Sequence, residues 1–350
     1  MGIRPVIPSK NLTELSLDQL VSLFDEWGEP AYRAKQVYRW VFQRGVRDID
    51  QMTNLSKALR TRLRDEGYSV GRVKLGRVAE SIDGTRKLSI KLDDGSAVET
   101  VLIPMEEGKF TQCLSTQVGC AMDCKFCYTG SLGLSRHLTA GEIVDQVILA
   151  RDVVPEGARI SHIVYMGMGE PLHNLDGVLD SLDAITHADG LGYSERRVTV
   201  STSGLVPQIK ALGARSKVNL ALSLNASNDE VRSQIMPINK RYNIASLMET
   251  LREYPLPPRR KMTIEYVLLG GLNDTDEDAY RLVKLLRGLP VRVNIIPWNP
   301  FHGPKYARPE DERVRSFQAI LKRRGYTVTV RTTKGLDIDA ACGQLGERAQ

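Results

Sequence analysis

Apolar and polar positions follow three different rhythms along this chain of 350 residues. Between residues 11 and 68 the apolar positions recur at three-to-four spacing, in SLDQLVSLFDEW and AYRAKQVYRWVFQRG, with Gly28, Pro30 and Gly45 as punctuation. That period predicts amphipathic helices and a small helical domain over residues 1–69. From residue 70 the pattern is near-alternating, in RVKLGRVAE, RKLSIKLDDG and AVETVLIP, with Asp93, Asp94 and Gly95 marking a hairpin turn. A short β meander or linker over residues 70–109 is expected. Over residues 110–350, apolar β runs (TQCLST, ISHIVYM, RVTVSTS, KVNLALSL, MTIEYVLL, VRVNIIPW) alternate with helical stretches such as TAGEIVDQVILARDV and DEDAYRLVKLLRGL. Strand and helix in repetition, with β-branched strands, predict an α/β domain whose parallel sheet is covered by helices. Six such units are too few for a complete eight-unit barrel. A further strand, YTVTVRTT, leads to the terminal segment that holds Cys342.

The strongest chemical statement is the run GCAMDCKFCYTG, which sets Cys120, Cys124 and Cys127 in C-x3-C-x2-C spacing. Three thiolates on one short loop can hold three irons of a 4Fe-4S cluster and leave the fourth open to a small molecule. A zinc knuckle is the competing reading, since Cys124-x2-Cys127 is a zinc half-site. No second half-site follows at finger spacing, and His137, in SLGLSRHLT, reads as the approach to a helix. A disulfide framework is not expected: the amino-terminal run MGIRPVIPSKNLTELS has no apolar core of a secretory segment, and a chain of this length needs no staples.

Other motifs are weaker alone. Met168-Gly169-Glu170-Pro171 follows the apolar run ISHIVYM, where glycines let the backbone approach a ligand and Glu170 can accept from an ammonium group, yet the same residues also make an ordinary turn. Cys342, in AACGQL, reads by itself as an inert buried residue. Glu99, in VETVLIP, occupies an outward position by alternation and is expected in solvent. Met105, Met122 and Met166 read as packing residues, and His162, His173 and His187 show no metal-binding pairing.

With Phe126 before its last cysteine, the cysteine loop resembles the signature of the radical S-adenosyl-L-methionine (SAM) superfamily. Adding MGMGEP (166–171), RVTVSTSG (197–204), NIIPWNPF (294–301), DIDAACGQL (337–345), VETVLIP (98–104) and Cys113, the chain resembles the RlmN/Cfr family of RNA adenine methyltransferases from about residue 10 to its end. The resemblance implies a partial (β/α)6 TIM-like radical SAM barrel, with an N-terminal helical accessory domain and a short β meander. Its site would lie at the carboxyl ends of the strands, and the cysteine loop, GMGEP, STSG, SLNA and WNP each follow a strand. It implies a 4Fe-4S cluster on Cys120, Cys124 and Cys127. SAM would be held at its amino end by Gly169 and Glu170, and at its ribose and carboxylate by Ser201, Ser223, Leu224, Asn225 and Asn299. Many members carry His where this chain has Asn225; Asn keeps donors and an acceptor but no charge near neutral pH.

The catalytic set implied by the same resemblance is Cys342 as methyl carrier, Glu99 as base and Cys113 as resolving cysteine. The loop MEEGKFTQ between the last two is one residue longer than in common relatives. An aromatic adenine carbon is no nucleophile, so polar methyl transfer meets a high barrier that radical chemistry avoids. In the implied sequence one SAM methylates Cys342, and a second is cleaved reductively to a radical that takes hydrogen from the S-methyl group. The carbon radical adds to adenine, Glu99 removes the ring proton, and a transient Cys113–Cys342 disulfide bond frees the product, with two SAM used per turnover. The adenine must be unstacked to be reached. The resemblance implies methylation at C2 of an adenosine in 23S rRNA, at the peptidyl transferase centre, and of adenosine 37 in tRNA. Three alternatives stay open: C8 methylation of rRNA, a non-catalytic iron-sulfur or zinc RNA-binding protein, and a radical SAM enzyme acting on a peptide.

Charge adds little by itself: 48 Lys and Arg against 42 Asp and Glu give +6, suited to a polyanion without requiring one. The excess concentrates in Arg33, Lys35, Arg39, Arg44, Arg47, Lys57, Arg60, Arg62, Arg64, Arg72, Lys74 and Arg77. A solvated helix face and an RNA surface read equally well from that run, and the resemblance selects RNA. No stretch approaches the roughly 18 apolar residues of a membrane span, so a soluble, cytoplasmic protein is expected. A flavodoxin-type electron donor and a monomeric state complete the expectations drawn from the family.

Overall fold

In the computed structural model, residues 10–71, 73–301, 303 and 306–346 are described; Arg72 of the basic run and the ends of the chain, 1–9 and 347–350, lie outside them. Ser16 opens the first long helix, α1 (Leu17–Glu26), by accepting from the Gln19 amide while the Gln19 side chain accepts from the Ser16 amide. This reciprocal cap satisfies two donors that a helix start leaves bare. Pro30 and Ser56 precede α2 (Ala31–Phe42) and α3 (Lys57–Asp65). The three helices bury Leu20, Phe24, Val37, Tyr38, Val41, Phe42, Leu59 and Leu63 on their facing sides.

A meander of β1 (Lys74–Glu80), β2 (Arg86–Lys91) and β3 (Ala97–Pro104) follows, all antiparallel. β4 (Lys109–Cys113) pairs antiparallel with β3 on one side and parallel with β7 (Arg159–Tyr165) on the other. Beyond β7 the strands β8 (Val198–Thr202), β9 (Asn219–Ser223), β10 (Met262–Leu268), β11 (Val291–Pro297) and β12 (Val328–Val330) continue in parallel. The sheet therefore runs β1-β2-β3-β4-β7-β8-β9-β10-β11-β12. Helices in the connections cover the outside, giving an open α/β barrel, and the meander extends its first edge instead of forming a separate layer.

β5 (Gln117–Gly119) and β6 (Leu134–His137) make a separate two-stranded hairpin at the carboxyl end of β4, and the cysteine loop with the single helical turn α4 (Tyr128–Ser131) is its connection. His137 thus ends a strand, just ahead of α5 (Ala140–Arg151). The helical domain docks on that helix. Glu14 accepts from the Gly141 amide at 3.1 Å and from the Thr139 hydroxyl, placing a negative charge at the helix start, where the macrodipole favours it. A Cβ on Gly141 would stand 2.6 Å from Glu14 Oε1, so only glycine allows this approach.

Candidate active site

The cysteine loop is shaped by the hairpin that carries it. Gly119, at φ +75°, leaves no room for a side chain, since a Cβ would meet the Gly133 carbonyl oxygen at 1.8 Å. Asp123 takes the left-handed conformation, and the Cys127 amide donates to the Cys124 carbonyl at 3.1 Å. Phe126 turns inward onto Met236 and Trp298, and the indole Nε1 donates to the Phe126 carbonyl at 3.0 Å. The outcome is one cavity lined by Cys120, Cys124 and Cys127 together with the carboxyl ends of β7, β8, β9, β10 and β11.

All five cysteines are free. Burial pushes the Cys120 thiol up to about 12 and raises Cys124 and Cys127, each further raised by its neighbours. A buried thiol triad of this kind is neutral alone and becomes thiolate when cationic iron compensates the charge. Among the described residues no three His, Cys, Asp or Glu side chains converge as one metal ion requires. A 4Fe-4S cluster takes one thiolate per iron, and three cysteines on the wall of one cavity fit that requirement.

Gly169, at φ +99°, would place a Cβ 2.5 Å from the Gln117 side chain. Glu170, 4 % exposed, has its carboxylate fixed by the Leu172 amide at 3.1 Å and the Ser203 amide at 2.7 Å, and burial raises its pKa. Both residues line the cavity, as do Ser201 and Ser223, whose hydroxyls stand 3.5 Å apart at the ends of β8 and β9. Asn225 also lines it, at φ +58°, with its Oδ1 accepting from the Val267 amide at 2.9 Å. Asn299 donates to the Cys342 carbonyl at 3.2 Å and accepts from the Thr333 hydroxyl at 2.9 Å. Leu224 does not line the cavity: its side chain is buried in the barrel core, and its carbonyl accepts from Arg232.

The C-terminal segment is fastened over the cysteine loop. The Tyr128 amide donates to the Gly343 carbonyl at 2.7 Å, Thr129 to the Leu345 carbonyl at 2.6 Å, and Gln344 to the Pro300 carbonyl at 2.7 Å. Cys342 thereby faces the same cavity as the three loop cysteines. Cys113, at the end of β4 and buried, lies outside the cavity wall, yet it is electrostatically coupled to Cys342. Burial, chiefly, and then Cys342 push its thiol up to about 12.

Glu99 is not in solvent. It is 5 % exposed, its Oε2 accepts from the Gly346 amide at 2.7 Å, and its Oε1 stands 3.0 Å from Lys87 Nζ. The expectation from alternation fails because β3 is covered on both faces, by the barrel on one and by the C-terminal segment on the other; five consecutive residues, Val98–Leu102, are buried.

Three charged residues that the sequence pattern did not single out stand here. Arg331, just past β12, lines the cavity beside Cys342, and its Coulomb coupling to that residue, foremost, raises the guanidinium pKa. Glu265, in β10, lines it too; burial raises its pKa while Asn294 donates to it at 2.7 Å. Arg232, fully buried, donates to the carbonyls of Leu224 and Ser203 and to Asn239, and burial lowers it to about 10. The available signals were a lone acid inside the apolar run MTIEYVLL and a cation at the end of YTVTVRTT.

A family model described as the ribosomal RNA large subunit methyltransferase N-terminal domain matches residues 10–68, and one described as the Radical SAM superfamily matches residues 114–283. The dual-specificity RNA methyltransferase RlmN of Desulfosudis oleivorans is 52% identical over 315 residues, covering 90% of this chain and 84% of that one. Its counterpart in Geobacter sulfurreducens is 49% identical over 331 residues, 95% of this chain and 90% of its own. The crystal structure of a radical SAM methyltransferase from Sphaerobacter thermophilus superposes with a TM-score of 0.90 at 42% identity, over 97% of this chain and 99% of that one.

Proposed function

Given that this chain belongs to the RlmN family of radical SAM RNA methyltransferases, we propose that it methylates C2 of an adenosine in 23S rRNA and C2 of adenosine 37 in tRNA, through a methyl group carried on Cys342. The family implies a 4Fe-4S cluster and SAM; Cys120, Cys124 and Cys127 would hold the first, and Gly169, Glu170, Ser201, Ser223, Asn225 and Asn299 the second. Bound there, the pair supplies one-electron chemistry able to take hydrogen from an unactivated methyl group.

The observation that carries the reading is the fastening of the C-terminal segment, which turns Cys342 into the cavity of the three loop cysteines. Cys342 would accept the methyl group there, with the Arg331 guanidinium lining the same cavity. Glu99 would take the ring proton. Its carboxylate is held by the Gly346 amide and Lys87, one partner on each oxygen, and the lone pairs left over would accept the proton. Cys113, protonated and buried until then, would lose its proton and attack the Cys342 sulfur, breaking that sulfur's bond to the methylene carbon; the carbon keeps the electron pair and takes a proton to become the methyl group of the released base, leaving a transient disulfide between the two cysteines.

Nucleoside mass spectrometry of rRNA and tRNA from a host lacking its own adenine C2 methyltransferase, with and without this chain, tests the reading. Expression should produce 2-methyladenosine in both RNA fractions; 8-methyladenosine alone would reassign the position, and neither product would remove RNA as substrate. A Cys113→Ala variant should accumulate RNA bound covalently to protein on denaturing gels. Free methylated RNA at the unaltered rate would exclude a resolving role for Cys113.

A further inference from the structure

At the amino ends of β7 and β8, the opposite end of the strands whose carboxyl ends form the cysteine cavity, lies a second hollow of about 730 Å³. Seven residues of β7 separate the two ends, roughly 20 Å at strand rise. Arg151, Arg159, Arg196 and Arg197 line the hollow with Tyr193 and Gly192, and no carboxylate does. Arg151 is held in place, donating to the Phe42 carbonyl at 2.8 Å and bonding the Tyr193 side chain. The guanidinium groups of Arg159, Arg196 and Arg197, all exposed, make no hydrogen bond or ion pair with another described residue. Nearby acids pair with other cations: Asp152 with Arg47 at 3.3 Å, Glu195 with Arg260 at 4.0 Å, and Glu107 with Lys109, Arg159 acting on Glu107 only at longer range.

The basic run of the N-terminal helices behaves differently. Arg33 donates to the Asn54 carbonyl, Arg39 pairs with Asp189, Arg44 lies over the Trp40 ring, Arg62 donates to the Trp27 carbonyl, and Arg60 and Arg64 hold Asp50. These helix arginines each have an internal partner, whereas three of the four arginines at the hollow have none among the described residues. Like charges gathered in a concave surface repel one another and draw in an anion. The hollow also adjoins the helical domain, through Arg151 with Phe42, Gln43 with the Ala188 carbonyl at 3.0 Å, and Arg39 with Asp189.

We propose that this hollow binds backbone phosphates of the substrate RNA, away from the nucleotide that enters the cysteine cavity. The inference rests on the reading that RNA is the substrate and adds where that RNA is gripped. Guanidinium groups suit phosphate oxygens, and contacts of this kind position a nucleic acid without reading its sequence.

The test compares the wild-type protein with the double variants Arg159→Glu/Arg197→Glu and Arg159→Lys/Arg197→Lys, measuring binding of full-length tRNA and of an rRNA fragment across salt concentrations. The Glu pair should lower affinity by roughly tenfold or more and reduce the slope of log affinity against log salt by about 2, while the Lys pair retains most of both. Hydrogen exchange in the wild-type protein should show residues 188–197 protected by RNA. Unaltered affinity and slope in the Glu pair overturns the inference, as does equal loss in the Lys pair, which would mark a packing role. Protection of residues 188–197 by inorganic phosphate, with none added by RNA, overturns it in favour of a small-anion site. Methylation by the wild-type protein is followed alongside: its absence removes the RNA reading and this inference with it, whereas intact methylation with unaltered binding by the Glu pair removes this inference alone.

Discussion

The two ends of the same barrel strands handle charge in opposite ways. At the carboxyl ends, Glu170 and Glu265 are almost fully buried, Arg232 is completely so, and each is fixed by partners at hydrogen-bond distance. At the amino ends of β7 and β8, Arg159, Arg196 and Arg197 stand exposed without such partners. Burial makes the first group expensive to misplace, because an unpaired charge in an apolar interior costs several kcal/mol. Exposure makes the second group exchangeable, since water and salt screen it. The carboxyl end is thus built for geometry and the amino end for long-range attraction.

Removing the thiol that faces the cavity is the severest break. Cys342→Ala should abolish methylated RNA, at least roughly a thousandfold below wild type, while the cluster's visible absorption persists; residual turnover would deny Cys342 its role. Glu170→Gln comes next, raising the Kd for SAM by roughly tenfold to a hundredfold through loss of a charge-assisted bond, as isothermal titration with SAM can check.

A pH series separates burial from chemistry. Folded Cys113 keeps its proton up to about 12, whereas its ordinary value is 9.0. The folded state therefore binds the extra proton between those values, so stability is complete below 9.0 and falls as pH rises toward 12, by roughly 4 kcal/mol at full deprotonation. Thermal melts of the cluster-free protein should show this fall, and Cys113→Ala should lessen it; an identical fall in the variant would place the cause elsewhere. Smaller still is Asn225→His. His is among the residues that tolerate positive φ, and SAM affinity should change by less than about threefold. The smallest effect belongs to Arg62→Gln: its guanidinium donates to the Trp27 carbonyl at 3.1 Å and lies over that ring. Stability should drop by about 1 kcal/mol with no change in the salt slope of RNA binding; a slope change near 1 would make Arg62 a phosphate contact.

What the sequence disclosed follows the same division. The cysteine loop, GMGEP and the strand ends bearing Ser201 and Ser223 are local motifs whose neighbours force their shape, as Gly119 and Gly169 show. Alternation placed Glu99 in solvent because a period of two tells one face from the other, not which faces are covered. Arg331 and Glu265 show in the sequence only as lone charges within apolar runs; they line one cavity with Cys342 because β10 and β12 flank β11 in the sheet. Leu224 lies in a strand-end motif, yet its own side chain belongs to the core.

Local sequence was enough to set the order of helix and strand, the three thiols of the cluster loop and the cavity-facing motifs, since each depends on residues within about one element of one another. The tertiary structure alone decided which charges are free. An arginine's role depends on partners far along the chain, Asp189 for Arg39 or the Phe42 carbonyl for Arg151, and Coulomb attraction acts across space without regard to sequence separation.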